Sequence, residues 1–146
     1  MGTLQKNKIN KLLELDPALV HSIDGLKLAE EIDKRLEAKG TTLDGLLQIN
    51  AAKEETKSGV MAEEALDVWQ AIRESCPRLN LRGVMTIGAH TDEEKAVRAS
   101  FDAAYKIFEA VRMDGADICS MGMSGDLELA IECGSNMVRV GSALFK

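Results

Sequence analysis

The sequence predicts an α/β protein in which repeated strand–helix units build one parallel sheet. Short runs rich in apolar and β-branched residues alternate with helical patterns at intervals of roughly 20 to 40 residues, which is typical of βα units. The 146 residues are 45% hydrophobic and 29% charged, as in ordinary globular domains. This length is enough for one sizeable core, so we expect residues 1–146 to form a single domain.

Five runs have the character of strands, at 19–23, 43–50, 81–87, 118–121 and 137–140. Apolar residues at helical spacing predict a helix before the first strand and one after each of the first four. Pro17, Gly40, Pro77 and Gly134 mark helix ends. The predicted side-chain caps at helix starts are Thr3, Asp24, Ser124, and Thr91 with Glu94 as a capping box.

Charge and composition exclude several classes of function. The net charge of −6 argues against broad binding to nucleic acid or to anionic membranes. No apolar run reaches the ~20 residues of a membrane span, and the N-terminus lacks a signal-peptide pattern, so we expect a cytoplasmic protein. Three cysteines without CxxC spacing and two histidines do not make a zinc site, and Cys119 and Cys133 read as buried small residues.

The stretch 120–142 organises the chain. It reads as the end of a strand, a loop, one helix, a second strand and a Gly-Ser turn. Side chains alternate along a strand, so Arg139 points away from Val138 and Val140. If the valines face a helix, Arg139 faces the interior of a barrel, near the strand ends where active sites lie.

Gly141 and Ser142 offer backbone N–H groups and a hydroxyl before a possible last helical turn, which is a favourable place for an anion. Gly-Ser turns are common, however, and a single strand arginine is often a structural charge. The same ambiguity holds for Gln48 and Asn50, which share one strand face and are either site residues or loop-facing ones.

The whole chain resembles the pyridoxal-phosphate homeostasis protein family, whose members are single-domain barrels similar to the N-terminal domain of alanine racemase. The resemblance is carried, in order, by segments 2–8, 21–24, 48–50, 57–60, 83–87, and above all Ser-Met-Gly-Met-Ser at 120–124 and Gly-Ser-Asn-Met-Val-Arg-Val-Gly-Ser-Ala-Leu-Phe at 134–145. It implies a partial (β/α)8 TIM-type barrel, roughly strands 4 to 8 with their helices, and thus a C-terminal portion of such a protein.

The resemblance also implies a cofactor, pyridoxal 5'-phosphate. Ser120, the Gly141 backbone and Ser142 correspond to the phosphate cradle, and Arg139 corresponds to the arginine that faces the pyridine nitrogen. The family's first strand carries the lysine that forms the Schiff base, and no lysine of this chain matches it. The family is regarded as a cofactor carrier, so no catalytic residue and no metal ligand are assigned.

Three alternatives remain at this stage, and one of them is a degenerate fragment that binds nothing. A phosphate-handling barrel enzyme acting on a small phosphorylated substrate would need a general base, for which His21, His90 and scattered carboxylates are available. Five parallel strands are also compatible with an open, doubly wound sheet of flavodoxin type. In a half-barrel, we expect two open sheet edges and an apolar inner face in contact with water. The chain alone should then be either marginally stable and aggregation-prone or a homo-oligomer that closes the sheet between chains.

Overall fold

The structure is a computed structural model, and it describes residues 6–52 and 58–140. Within these residues one sheet of six parallel strands is accompanied by five α-helices, one before the first strand and four on the crossovers between strands. The strands are β1 (Val20–Ile23), β2 (Leu43–Asn50), β3 (Val60–Met61), β4 (Leu79–Thr86), β5 (Ile118–Met123) and β6 (Met137–Arg139). The helices are α1 (Ile9–Glu14), α2 (Leu26–Lys39), α3 (Ala65–Ser75), α4 (Glu94–Val111) and α5 (Leu127–Glu132).

The strands follow one another across the sheet in the order β1-β2-β4-β5-β6, and the two-residue β3 pairs with the end of β2. Parallel crossovers are right-handed, so a consecutive order places the helices on one face. A flavodoxin-type sheet changes direction at a switch point, which this order lacks; that alternative is wrong. The predicted α/β class and parallel half-barrel are confirmed.

The main core lies between the sheet and the helices. Buried residues at helical spacing on α4, such as Phe101, Ala104 and Phe108, pack onto the outward side chains of the strands. Burial of each large apolar side chain stabilises the fold by about 1.5–3 kcal/mol. The strand residues of this core include Leu47, Ile49, Val84, Cys119 and Met121.

The opposite face of the sheet is concave and is also buried. Gln48, Met85 and Ser120 lie side by side in register across β2, β4 and β5. Ser120 is 0% exposed and Met85 only 2%. The expectation that an apolar inner face would contact water is therefore wrong for Met85, and likewise for Leu46.

A hydrogen bond across the concave face explains this burial. His21 Nδ1 on β1 lies 3.1 Å from Ser120 Oγ on β5, although β2 and β4 separate the two strands. In a flat sheet, three strand spacings would hold these strands about 14 Å apart. The sheet must therefore curl strongly, and the curl brings the inward side chains of distant strands together.

The predicted caps are wrong where they can be compared. The residue before α4 is Glu93, without a side-chain cap, and Thr91 Oγ1 instead accepts the Glu93 N–H in the preceding loop (3.2 Å). At α5 the cap position is Asp126, whose carboxylate accepts the Met123 N–H (2.8 Å). Gly25, not Asp24, precedes α2. Thr3 lies outside the described residues.

The helix ends were predicted better. Gly40 takes the left-handed conformation with φ 69° directly after α2, and Gly134 does so with φ 108° after α5.

None of the described helices combines the length and apolar character needed to cross a membrane. The three cysteines are free and buried, and burial raises the pKa of Cys119 to about 12. These thiols behave as small apolar groups, as predicted.

Candidate functional site

Arg139 is the buried centre of the concave face. It is the last residue of β6, and the register places it opposite Met123 of β5. Arg139 is only 8% exposed, and among the described residues it is the one arginine that is buried. The prediction that this side chain points away from the helices is confirmed, because its contacts all lie on the inner face.

Two hydrogen bonds hold the Arg139 guanidinium. Nη1 donates to Ser120 Oγ on β5 (2.6 Å), and Nη2 donates to the main-chain carbonyl of Thr86 at the end of β4 (2.9 Å). Two contacts on different strands fix the plane of the group. An arginine carries five N–H donors, and these two bonds to described residues use two of them.

The electrostatic setting of Arg139 is unusual for an arginine. Burial lowers the pKa of the guanidinium from its ordinary value, and the carboxylate of Asp126 partly offsets this effect. Its two hydrogen-bond partners within 6–52 and 58–140 are uncharged oxygens, so this part of the protein compensates the cation only partly. A buried cation with spare donors favours an acceptor-rich or anionic partner.

Ser120 links Arg139 to His21. Its Oγ accepts the Arg139 N–H and lies 3.1 Å from His21 Nδ1. His21 is half-buried; its pKa is lowered from 6.5, first by burial and second by the positive charge of Arg139. Neutral His21 therefore has an unprotonated nitrogen available for the Ser120 hydroxyl. The sequence indicated His21 as a possible general base. Neither the contact of His21 with Ser120 nor the contact of Arg139 with the Thr86 carbonyl was predicted.

The position of β6 depends on two side chains in the preceding turn. Asn136 Oδ1 accepts the Cys119 N–H (2.8 Å), and its Nδ2 donates to the Asp117 carbonyl (2.8 Å). Ser135 Oγ donates to the Met121 carbonyl (2.7 Å). These bonds attach the turn to β5 where regular pairing is interrupted, and so they set the point at which Arg139 enters the concave face.

Gln48 has a local role that the sequence left open. Its Nε2 donates to the Ser58 carbonyl (3.1 Å), so the side chain ties the chain before β3 to β2. Both Gln48 and Asn50 are buried at the C-terminal end of β2. They belong to the same end of the sheet as Thr86 and Arg139, where parallel α/β folds bind their ligands.

A cleft of about 1020 Å³ opens between the loops that follow β4 and β5. Among the described residues its wall carries five carboxylates and no lysine or arginine; the acidic residues are Asp92, Glu94, Asp126, Glu128 and Glu132. Neither Ser120 nor Arg139 lines it. A carboxylate-lined wall repels phosphate, so the Arg139 cluster suits an anionic ligand better than this cleft does.

The structure thus brings together Ser120 and Arg139, two of the four residues predicted to bind a cofactor. Gly141 and Ser142 lie outside the described residues. His21 joins the pair only because the sheet curls. A sequence signal for it did exist, since His21 lies within one of the segments that carry the family resemblance.

The chain is similar in sequence and in fold to known proteins. A pyridoxal phosphate homeostasis protein of Helicobacter pylori is 55% identical over 146 residues, which are 100% of this chain and 65% of that protein. The chain thus spans about two thirds of that relative's length. The solved structure of PipY from Synechococcus elongatus with bound pyridoxal phosphate is similar at TM-score 0.83 and 27% identity, over 100% of this chain and 68% of that one.

The fold extends to more distant proteins. Alanine racemase of Clostridium difficile matches at TM-score 0.79 and 19% identity, over 99% of this chain and 38% of that one. The family model that matches describes the N-terminal domain of alanine racemase. This finding corrects the prediction of a C-terminal part, and the strand range 4 to 8 is not confirmed. Because the match extends over residues 1–146, the chain belongs to the alanine racemase N-terminal domain family.

Proposed function

We propose that this chain binds pyridoxal 5'-phosphate and serves in the homeostasis of that cofactor, without catalysing a reaction. The observation that carries the proposal is the Arg139 guanidinium, buried on the concave face and held at two points with donors to spare. The names of the relatives and the cofactor bound to PipY support it. The donor chemistry fits a phosphorylated pyridine, which offers only acceptors to this guanidinium.

Arg139 would meet the ring nitrogen of the cofactor. A guanidinium only donates hydrogen bonds, so the nitrogen opposite it must accept and stays unprotonated. Bound pyridoxal phosphate supplies an electron-withdrawing ring and an aldehyde, and an unprotonated ring withdraws electrons less strongly. Such a site suits the holding and delivery of a cofactor better than demanding carbanion chemistry.

By the family resemblance the phosphate would lie against Ser120, the Gly141 backbone and Ser142. In the structure the Ser120 hydroxyl already contacts Arg139 and His21, so Ser120 would hold Arg139 in place, and the Gly141 backbone and Ser142 would hold the phosphate. No lysine of the chain corresponds to the Schiff-base lysine of the family, so we expect the chain to bind the cofactor weakly and non-covalently.

No observation favours the phosphate-handling enzyme. That function needs a general base within reach of a substrate. His21 contacts Ser120 inside the curled sheet, and Ser120 is fully buried. His90 lies on an exposed loop beside the acidic cleft, which disfavours a phosphorylated substrate.

Three further expectations concern the barrel architecture, the oligomeric state and the cellular location. The strands β1, β2, β4, β5 and β6 are consecutive strands of a (β/α)8 barrel, which their order in the sheet supports. No described strand pairs with the outer sides of β1 and β6, which favours a homo-oligomer. A cytoplasmic location agrees with three unpaired cysteines.

Titration of the chain with pyridoxal phosphate, followed by absorbance and equilibrium dialysis, tests the function. Arg139→Leu should abolish saturable binding, and the exposed-face variant Arg98→Leu should retain it. Borohydride reduction and mass spectrometry should find no stoichiometric adduct. Equal binding by the two variants, or one fully labelled lysine, would contradict the proposal.

A further inference from the structure

The Arg139–Ser120–His21 contacts form a hydrogen-bonded chain, and the direction of its first bond is fixed because a guanidinium only donates. Arg139 is only a donor, so Ser120 Oγ accepts from it at 2.6 Å. The hydroxyl has one proton to donate, and Ser120 is 0% exposed, so solvent does not take that proton. His21 Nδ1, at 3.1 Å, is the acceptor that the structure offers. A chain that runs from Arg139 through Ser120 to His21 requires neutral His21 with its proton on Nε2, because the other tautomer would donate to Ser120 Oγ.

We propose that His21 is a positioning residue for this site: by accepting the Ser120 hydroxyl it orients the oxygen that holds Arg139, and protonation of His21 weakens binding of the phosphorylated pyridine ligand. This inference rests on the proposed function. It assigns to β1 a part in the site, although β1 lies three strands away from β5 in the sheet.

Protonation of His21 changes the chain in two ways. An imidazolium Nδ1–H donates to Ser120 Oγ, so the serine loses the acceptor for its own proton. The imidazolium also places a second positive charge next to the one on Arg139. Both effects loosen the guanidinium, whose remaining donors are needed for the ring nitrogen.

The charged groups around His21 set the direction of the pH dependence. Arg139 of β6 acts on His21 and lowers its pKa, in addition to the larger effect of burial. Asp126, before α5, acts on Arg139, and Gln48 and Met85 of the intervening strands are uncharged. Asp24, which follows β1, has a pKa raised by burial and also titrates in acid. A variant of His21 is thus needed to isolate its contribution.

Three variants separate the roles of His21. His21→Asn retains an acceptor near the position of Nδ1 but does not titrate, whereas His21→Leu removes the acceptor. His90→Asn is the matched control, because His90 is the other histidine of the chain and is exposed. The probe is pyridoxal 5'-phosphate, measured by equilibrium dialysis at about pH 8 and about pH 5.5, on either side of the ordinary histidine pKa.

At the higher pH, His21→Leu should weaken binding about tenfold, equivalent to ~1.4 kcal/mol, because the buried Ser120 hydroxyl loses its acceptor. His21→Asn should stay within about twofold of the unmodified chain. Between the two pH values, the unmodified chain and His90→Asn should lose more affinity than His21→Asn. Ionisation of the ligand is common to all and cancels in that comparison. Unchanged affinity in His21→Leu, or identical pH profiles, would overturn the proposal.

Nitrogen NMR of the two imidazoles provides a readout without ligand. His21 should titrate below 6.5 as the Nε2–H tautomer, and Ser120→Ala should shift the resonance of its Nδ1 but leave His90 unchanged. A proton on Nδ1 of neutral His21 would contradict the positioning role even if the ligand binds. Failure of the unmodified chain to bind pyridoxal phosphate at the higher pH would instead refute the proposed function, and with it the ligand part of this inference.

Discussion

Arg139 is a charged residue in a place that normally costs stability. Moving an ion out of water carries a penalty of several kcal/mol, and here the compensation comes from two neutral oxygens and the more distant Asp126. An arginine that only stabilised the fold would be expected on the surface or against a carboxylate. Its buried position is therefore better explained by a ligand than by folding.

Because burial of the Arg139 guanidinium costs stability, substitutions of the two residues in the Arg139–Ser120 hydrogen bond should have opposite effects on the free energy of unfolding. Ser120→Ala should lower the free energy of unfolding by about 1–3 kcal/mol, because it leaves a buried guanidinium donor without an acceptor. Arg139→Leu should change it little or raise it, because the buried charge is removed. In the Arg139→Leu background, Ser120→Ala should cost much less. Urea denaturation of the four proteins measures this coupling. Strong destabilisation by Arg139→Leu would mean that the arginine is a structural charge.

The pH dependence of stability should also carry a contribution from His21. Its folded-state pKa is lowered, so the unfolded chain binds the proton more readily. The free energy of unfolding should therefore hold its full His21 contribution above 6.5 and lose it as the pH falls toward the folded-state pKa. Urea titrations at several pH values should show a smaller acid loss in His21→Asn than in the unmodified chain. Equal losses of stability in the two proteins would contradict a lowered pKa of His21 in the folded chain.

At the scale of elements, Gly83 controls the pairing of β4 with β5. It pairs with Ile118, and a Cβ at this position would collide with the main-chain carbonyl of Ile118. Gly83→Ala should separate the two strands and destabilise the fold by about 3 kcal/mol or more. Gly125→Ala, where a Cβ meets open space, is the control. Thermal melting compares the two variants, and similar melting temperatures would contradict the close approach of β4 and β5 at Gly83.

Side-chain hydrogen bonds add to the strand pairing at the join between β5 and β6. The Asn136 side chain makes two of them, to the main chain at 117 and 119. Asn136→Ala should lower the free energy of unfolding by about 1–2 kcal/mol and weaken ligand binding, because β6 carries Arg139. Asn80→Ala, which removes only an exposed side-chain contact to Asp44, should do neither. Chemical denaturation with a parallel binding assay tests this pair.

The sequence predicted the elements that periodicity determines and missed those set by tertiary contacts. The five main strands and the ends of α2 and α5 follow from apolar patterns and from glycine. The caps were misassigned because several polar residues precede α4 and α5, and any of them can satisfy a loop instead. The two-residue β3 is too short for a periodic signal. His21 joined the site through the curl of the sheet, which no local pattern encodes.

At the scale of the whole molecule, curling determines what is exposed. Leu46 and Met85 are buried on the concave face, so this face is not the large wet surface that a flat half-barrel would present. Whereas the concave face is buried, the edges of the sheet are not covered by a strand among the described residues. The free sides of β1 and β6 have no strand partner among the described residues, and unpaired strand edges favour pairing with another chain.

We therefore expect the chain to self-associate through its edges while keeping a buried concave face. Size-exclusion chromatography with light scattering should show a concentration-dependent dimer or larger oligomer. Near-ultraviolet circular dichroism should show that the tertiary packing persists in the assembled form. A monodisperse monomer over the whole concentration range would mean that the edges are protected within the chain.

The central claim is that the cluster around Arg139, and not the acidic cleft, receives pyridoxal phosphate. A crystal structure of the chain saturated with the cofactor tests this most directly. We predict the pyridine nitrogen within hydrogen-bond distance of an Arg139 nitrogen, with the contact from Arg139 to Ser120 retained. A cofactor bound instead between the loops after β4 and β5, or covalently attached to a surface lysine, would contradict the claim.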